Sequence, residues 1–393
     1  MIAIRGKRLK VCMLIPKLHV GGAEMQVLSL LKNLDGSRFK VHLCCFTHGD
    51  EEMEGEAARY AADVHLMRFR WALLPIFFSR LVGYLRHGRF DVLHCHLPLA
   101  DFLGRAAGKL AGVPVLVTTE HGRHPWKSPL HLFLERFLNP VTDARMCVSR
   151  DILDIRGTRE RTPGGKLLYI PNAVDTGRFR SGERGKAGVM AEFGWESTDP
   201  LVVSVGRLVP AKDYPVLVEA VGILRKDHPD ARCLIVGEGR SRGDIEHSIM
   251  ERGLAAHVVL AGKRRDIPDI LAAGDVFVLS SVSEGLPVSL LEAMAAGKAI
   301  VATGVGGIPD AVTDRGNGLI VPARDAGAIA AGIGELLSNE DLAGRLSASA
   351  AEEAEASYGV TAISERIGDV YERLYALKRG APKSSSSPRK DVV

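Results

Sequence analysis

The chain has 393 residues, 46% of them hydrophobic and 25% charged, with a formal net charge of +4. That length excludes a single small core and favours two globular domains. No run of about 18 apolar residues occurs, so no segment reads as a membrane span, and the start MIAIRGKRLKVCMLIP lacks the apolar stretch and cleavage site of a signal peptide. The charge is unevenly placed: residues 1–180 hold 27 Lys+Arg against 17 Asp+Glu (+10), and residues 181–393 hold 24 against 30 (−6). A basic first half points to an anionic partner, whether a membrane surface, a nucleic acid or a phosphorylated ligand. Six cysteines show no CxxC spacing, and Cys12, Cys44, Cys147 and Cys233 lie in apolar runs. They read as reduced, buried thiols of a cytosolic protein.

In chain order, the runs KVCMLIP, KVHLCCF, DVHLMRF, DVLHCH, PVLVTTEH, RMCVS and KLLYIPN predict seven strands in the first half. LVVSVGR, RCLIVGEG, HVVLAG, DVFVLSS, AIVAT and GLIVP predict six more in the second. Continuous apolar strands separated by helical patterns mean parallel sheets covered on both faces. Two such sets predict two doubly wound α/β domains, over 1–180 and 181–357. The polar stretch 176–200 has no strand, and a linker is expected at about 175–185, followed by a short helix near 187–193. A last helix is expected over 358–380, crossing back to the first domain, and the low-complexity tail 381–393 reads as disordered.

Ligands of open α/β sheets sit beyond the carboxyl ends of the strands. After the first strand, Gly21 and Gly22 open a helix with apolar residues at 27, 28, 30, 31 and 34. Such a start can approach a phosphate closely, or it can be a plain turn. His94 and His96 are expected on opposite faces of their strand, with His96 near the ligand, and metal ligation by them is disfavoured. After LVVSVG come Arg207 and Lys212, a fork and a point charge that can grip a diphosphate; solvated loop charges are the plain alternative. The glycines at 237, 239 and 243 do not match GxGxxG, and GRAAGK at 104–109 is one residue short of a P-loop, so nicotinamide and P-loop readings lose their signatures.

The stretch SEGLPVSLLEAMAAGKAIVAT (283–303) is the most informative. Gly285 permits close backbone approach, Pro287 fits a first helical position, and the free amides near 286–288 can face an anion. Glu284 and Glu292 flank that turn. Carboxylates repel phosphate but accept hydrogen bonds from hydroxyls, so the pair suits a ligand with diols on both sides of a diphosphate: a nucleoside diphosphate sugar. Otherwise Glu284 is a loop charge and Glu292 pairs with a neighbour.

The same stretch resembles the E-x7-E motif of the retaining glycosyltransferases of family GT4. VGGAE, VLHCHLPLADFLGRAA, TTEHG, CVSR, IPNAVD, SVGRLVPAKDY, LIVGEG and GGIPDAVTDRGNGLIVPARD follow in that family's order. The resemblance covers roughly residues 10–380 and is most specific from Val202 to Pro322. It implies the GT-B fold, two Rossmann-like parallel-sheet domains facing a central cleft. It also implies that Arg207 and Lys212 hold the donor diphosphate, and that Glu284 bonds hydroxyls of the transferred sugar, backed by the amides of Gly285, Leu286, Pro287 and Val288. Glu292 would bind the ribose, Gly22 with Gly21 would approach the distal phosphate, and His121 would be the active-site histidine. The nucleobase would lie against backbone near Lys263 and Arg264, and Glu238 and Asn172 are weaker candidates at the cleft. Two departures stand out. Asp213 follows Lys212 where many relatives have glycine, and Glu120 beside His121 has no assigned direction.

The resemblance implies a metal-independent hexosyltransferase that needs no cofactor beyond its co-substrate, a UDP- or GDP-linked sugar. Its acceptor would be a lipid-linked or polysaccharide hydroxyl in lipopolysaccharide or exopolysaccharide assembly, and nucleic acid is not an expected partner. No DxD triplet occurs. Residues 68–89, with five arginines among aromatic and aliphatic residues, can lie on an anionic bilayer or pack on the first sheet. The stretch 121–137 is a second candidate. Localisation is expected to be cytoplasmic, peripheral on the inner membrane face. A GT-B nucleotide-sugar 2-epimerase and a non-catalytic nucleotide-sugar-binding partner are the alternatives.

Overall fold

The computed structural model describes residues 7–19, 21–124, 127–180 and 182–380. The tail 381–393, read from the sequence as disordered, lies outside the described residues. Every expected apolar run forms a strand. The first unit contains β1 (Leu9–Ile15), β2 (Phe39–Cys45), β3 (Asp63–Leu66), β4 (Val92–His96), β5 (Val115–Glu120), β6 (Ala144–Cys147) and β7 (Leu167–Tyr169). They run parallel in the order β3-β2-β1-β4-β5-β6-β7. The second contains β8 (Leu201–Val205), β9 (Arg232–Val236), β10 (Val258–Gly262), β11 (Val276–Leu279), β12 (Ala299–Thr303) and β13 (Leu319–Val321), parallel in the order β10-β9-β8-β11-β12-β13. In each sheet the strand order reverses once, between β1 and β4 and between β8 and β11.

The central strands are aliphatic on both faces because helices cover both. In β1 every residue but Lys10 is buried, and the helix Gly22–Asn33 buries Val27, Leu28, Leu30 and Leu31, as its periodicity predicts. Contacts divide the chain at Asn172/Ala173 and at Gly359/Val360. The helix Val360–Lys378 packs in the first unit: Tyr371 is fully buried, its hydroxyl lies 2.6 Å from His94 Nδ1, and Phe39 meets its ring edge-on at 5.8 Å. Residues 173–180 pack in the second unit, and the stretch expected as linker holds a one-turn helix, Thr176–Phe179, because Asp175 caps it at the Arg178 amide. A second short helix, Gly185–Ala191, follows.

Residues 68–89 form a 3₁₀ turn, Trp71–Leu73, and the helix Leu74–Gly88. One face buries Phe77, Leu81 and Leu85, with Phe77 edge-on to Phe46 at 4.8 Å; Trp71 and Ile76 remain 69% and 52% exposed. The helix Pro129–Leu138 places Leu130, Phe133, Leu134 and Phe137 on one exposed stripe and Glu135 in the interior. Among the described residues, no helix is long and apolar enough to cross a membrane. All six cysteines are buried free thiols.

Candidate active site

Where strand order reverses in an open sheet, the loops leaving two neighbouring strands diverge and leave a crevice beyond their carboxyl ends. In the second unit those strands are β8 and β11. The loop after β8 carries Arg207 and Lys212, and the loop after β11 carries Glu284 to Glu292. Two hydrogen bonds join the loops: Val282 N–H donates to Ala211 O at 2.8 Å, and Ser280 Oγ donates to Lys212 O at 2.8 Å. Lys212 ends the 3₁₀ turn Pro210–Lys212, and its Nζ lies 2.7 Å from Glu284 Oε1, both side chains 13% exposed. Ser281 Oγ donates to the same Oε1 at 2.7 Å. Lys212 and Glu284, read from the sequence as a diphosphate grip and a sugar grip, thus form one ion pair. Arg207 is exposed, and its guanidinium has no partner among the described residues.

Glycine makes this packing possible at two points. Gly237 has φ +142, and a Cβ there would stand 1.9 Å from Gly206 O; Gly306 has φ +59, and its Cβ would stand 2.2 Å from Glu284 O. At Gly237 neither backbone nor space admits a side chain, and at Gly306 the approach of the Glu284 carbonyl excludes one. Asp213 adopts the left-handed conformation (φ 48, ψ 46) that glycine would take freely, so its departure from the resemblance leaves the loop path intact at a modest conformational cost.

Pro287 is the N-cap of the helix Val288–Ala295, one residue earlier than the expected first helical position. Gly285 O is taken by Gly307 N–H at 2.6 Å. The first-turn amides after Pro287 lack intrahelical acceptors and carry the positive end of the helix dipole. Glu292 lies one turn further on, half-buried, and its carboxylate accepts no hydrogen bond among the described residues. Burial pushes its carboxyl up to about 7, against the pull of Arg178. Arg178 stands on the helix Thr176–Phe179, which packs against Val288–Ala295. The folded state therefore binds this proton more tightly than the unfolded chain, whose carboxyl keeps its ordinary value near 4.5. The stability it confers is present below that value and is lost as pH rises towards about 7. Glu292→Gln is accordingly expected to raise the thermal midpoint by a few degrees at pH 8 and to lose that advantage as pH falls through the window, as calorimetry at several pH values checks.

The other expected donor residues lie at the rims of neighbouring strands. Glu238, after β9, is exposed and accepts from Arg242 Nη1 at 2.8 Å. Lys263 is exposed. Arg264 is spent in ion pairs with Asp266 (2.8 and 2.6 Å) and Glu192 (2.8 Å), which leaves backbone rather than its side chain to meet a ligand.

In the first unit, Gly21 is the N-cap of the helix that begins at Gly22, but Glu24 crowds it: a Cβ on Gly21 would come within 2.7 Å of Glu24 Oε2. An anion at this helix start has to displace that carboxylate. His121 follows β5. Its Nε2 lies 3.2 Å from His96 Nδ1, and its buried Nδ1 has no partner among the described residues. Burial lowers its pKa to about 4, with Glu120 opposing and His124 adding to the fall, so the imidazole is neutral at pH 7. The expectation that His94 and His96 face opposite ways is corrected: their rings are 4.0 Å apart. Residues two apart in a strand share a face. Both are buried; His94 is held between Tyr371 and Thr119, and His96 reaches His121.

Glu120 points the other way, into a buried array in which Arg105, Lys127, Arg145 and Arg156 meet Asp101, Glu120, Glu135 and Glu160. Burial alone would raise the Glu120 carboxyl, but Arg156 and Arg145 outweigh it and hold it well below its ordinary range. Arg156 also donates to Gly122 O at 2.8 Å, which fixes the chain on either side of His121. Asn172 is buried at the unit boundary. In the second unit, Ser280, Ser281 and Arg178 join the site without having been assigned roles in it; Ser280 and Arg178 act through distant partners, Lys212 and Glu292, which leave no local sequence signal.

Two family models match the chain. Glycosyltransferase Family 4 covers residues 20–178 and Glycosyl transferases group 1 covers residues 188–353. The chain is 30% identical over 256 residues to UDP-Gal:alpha-D-GlcNAc-diphosphoundecaprenol alpha-1,3-galactosyltransferase of Escherichia coli, covering 62% of this chain and 66% of that one. It is 32% identical over 314 residues to GDP-mannose-dependent alpha-(1-6)-phosphatidylinositol monomannoside mannosyltransferase of Mycolicibacterium smegmatis, covering 74% and 79%. Anabaena Alr3699/HepE, solved with UDP and glucose, superposes with a TM-score of 0.81 at 19% identity, over 93% of this chain and 100% of that one, a likeness of fold. With two parallel α/β units of the GT-B kind and both family models matched, the chain belongs to glycosyltransferase family 4.

Proposed function

We propose that the protein is a retaining glycosyltransferase that moves a hexose from a UDP- or GDP-linked donor to a hydroxyl of a lipid-linked or polysaccharide acceptor in surface glycan assembly. The observation that carries this reading is the pairing of Lys212 with Glu284 where strand order reverses, with Arg207 free beside the same strand and Glu292 one helical turn beyond. Arg207, Lys212 and the amides opening Val288–Ala295 stabilise the departing diphosphate without a metal ion. Glu284 holds hydroxyls of the sugar, and Glu292 holds those of the ribose. Backbone near Lys263 and Arg264 meets the base, and Gly21 and Gly22 meet the distal phosphate. The bond from the anomeric carbon to the donor phosphate breaks and one to the acceptor oxygen forms on the same face; the acceptor proton passes to the leaving phosphate. His121, neutral and with one nitrogen unsatisfied, bonds a sugar hydroxyl and is no nucleophile.

The named relatives act on lipid-borne acceptors, which supports an acceptor at a membrane surface. The exposed Trp71 and Ile76 among the arginines of 68–89, and the apolar stripe of Pro129–Leu138, suit peripheral attachment to the inner, anionic face. The test is nucleotide release from a panel of UDP- and GDP-sugars, with and without acceptor lipid in anionic vesicles and with EDTA throughout. Acceptor-dependent release that survives EDTA and follows the vesicles on flotation is expected. Sugar interconversion without acceptor would mark an epimerase, and absence of any turnover would mark a binding protein.

A further inference from the structure

A cavity of about 570 Å³ opens in the first unit at the end of the sheet opposite His121. Its lining includes Lys7, Arg86, Arg89, Lys378, Arg379 and Asp91. Lys7 precedes β1, Asp91 precedes β4, and Pro114, also in the wall, precedes β5, so the cavity sits at the amino ends of these strands. Five cations there face one carboxylate, and that carboxylate is spent: Asp91 Oδ1 meets Lys7 Nζ at 2.5 Å, and Oδ2 accepts from Lys10 N–H at 2.9 Å. Lys378 pairs with Asp143 at 2.8 Å. Arg86 reaches only the carbonyl of Leu110 at 2.9 Å. Arg379 donates to the Tyr375 hydroxyl at 3.0 Å, where Lys7 also donates at 3.0 Å. No hydrogen bond or ion pair engages the Arg89 guanidinium among the described residues.

Three guanidinium groups thus line one cavity with no carboxylate to neutralise them among the described residues. Arg86 and Arg89 close the helix Leu74–Gly88 and Arg379 follows Val360–Lys378, so helix carboxyl ends favour all three charges; of the three, Arg86 alone spends its guanidinium on a carbonyl. Like charges gathered in a concave, partly apolar wall raise the local potential, and an anion entering there is attracted by all of them. Guanidinium forks pair bidentately with the oxygens of a phosphate group. We propose that this cavity is a binding site for a phosphate-bearing anion, separate from the donor site. Leu110 and Leu377, 58% and 50% exposed, adjoin cavity residues and could receive the apolar part of a phospholipid; a soluble phosphate ester has the same headgroup chemistry.

The test reads the two arginines directly in the full chain. Phenylglyoxal modification of Arg89 and Arg379 is followed by peptide mass spectrometry with inorganic pyrophosphate, with phosphatidylcholine vesicles containing phosphatidic acid, or with neither. Protection of both arginines by roughly tenfold is expected. Protection by pyrophosphate identifies a soluble phosphate compound, and protection by the vesicles alone identifies a lipid headgroup. The double variant Arg89→Ala/Arg379→Ala, outside the donor site, is expected to lose binding of the protecting probe by about tenfold or more. Modification rates indifferent to both probes, or probe binding unchanged in the variant, would overturn the proposal.

Discussion

Lys212→Ala is expected to lower kcat/KM by about 10²- to 10³-fold, Glu284→Ala by at least about 10²-fold, and the double variant by far less than the product of the two. The reason is the ion pair. Before donor arrives, Lys212 neutralises Glu284 at 2.7 Å, with Ser281 as the only other hydrogen-bond partner of that carboxylate oxygen among the described residues. A diphosphate brought beside Glu284 without Lys212 meets an uncompensated carboxylate within a few ångströms, a repulsion large in a partly desolvated crevice. Lys212→Ala therefore removes an attraction and exposes a repulsion together. Glu284→Ala removes the repulsion but also the acceptor for sugar hydroxyls. Affinity for the bare nucleoside diphosphate should then stay level or tighten while turnover collapses, a split that a merely structural carboxylate would not produce. Turnover of Glu284→Ala within about threefold of wild type would show that this residue does not hold the sugar in the transition state.

The strands were legible because a parallel sheet covered on both faces demands unbroken aliphatic runs, and each of the 13 runs met that demand locally. Arg207, Lys212, Glu284 and Glu292 were legible as candidates because each closely follows a strand, where ligands of such sheets bind. What the residues do to one another was not. The Lys212–Glu284 contact requires β8 and β11 to be neighbours, and they pair only at Val202↔Val276 and Val203↔Phe277. Adjacency of strands this far apart in the chain leaves no trace in either loop.

Other differences have similar causes. Glu120 and His121 are consecutive, so a strand end throws them to opposite sides; one joins the buried charge array and the other meets His96. That array is invisible in sequence because its eight charges come from scattered positions between Asp101 and Glu160. Arg178 lies in a stretch whose glycines and arginines suggest a plain linker, yet one cap from Asp175 makes a helical turn that sets its charge near Glu292.

The central claim is that the crevice between β8 and β11 holds the donor diphosphate. Arg207 tests it best, because it has no partner among the described residues whose loss could confuse the result. Nucleoside diphosphate binding is measured by calorimetric titration of wild type, Arg207→Lys and Arg207→Ala. Loss of a charge-assisted fork predicts about 10- to 100-fold weaker binding for Arg207→Ala, with Arg207→Lys recovering only part. Equal affinities in all three proteins would contradict the account and place the diphosphate elsewhere.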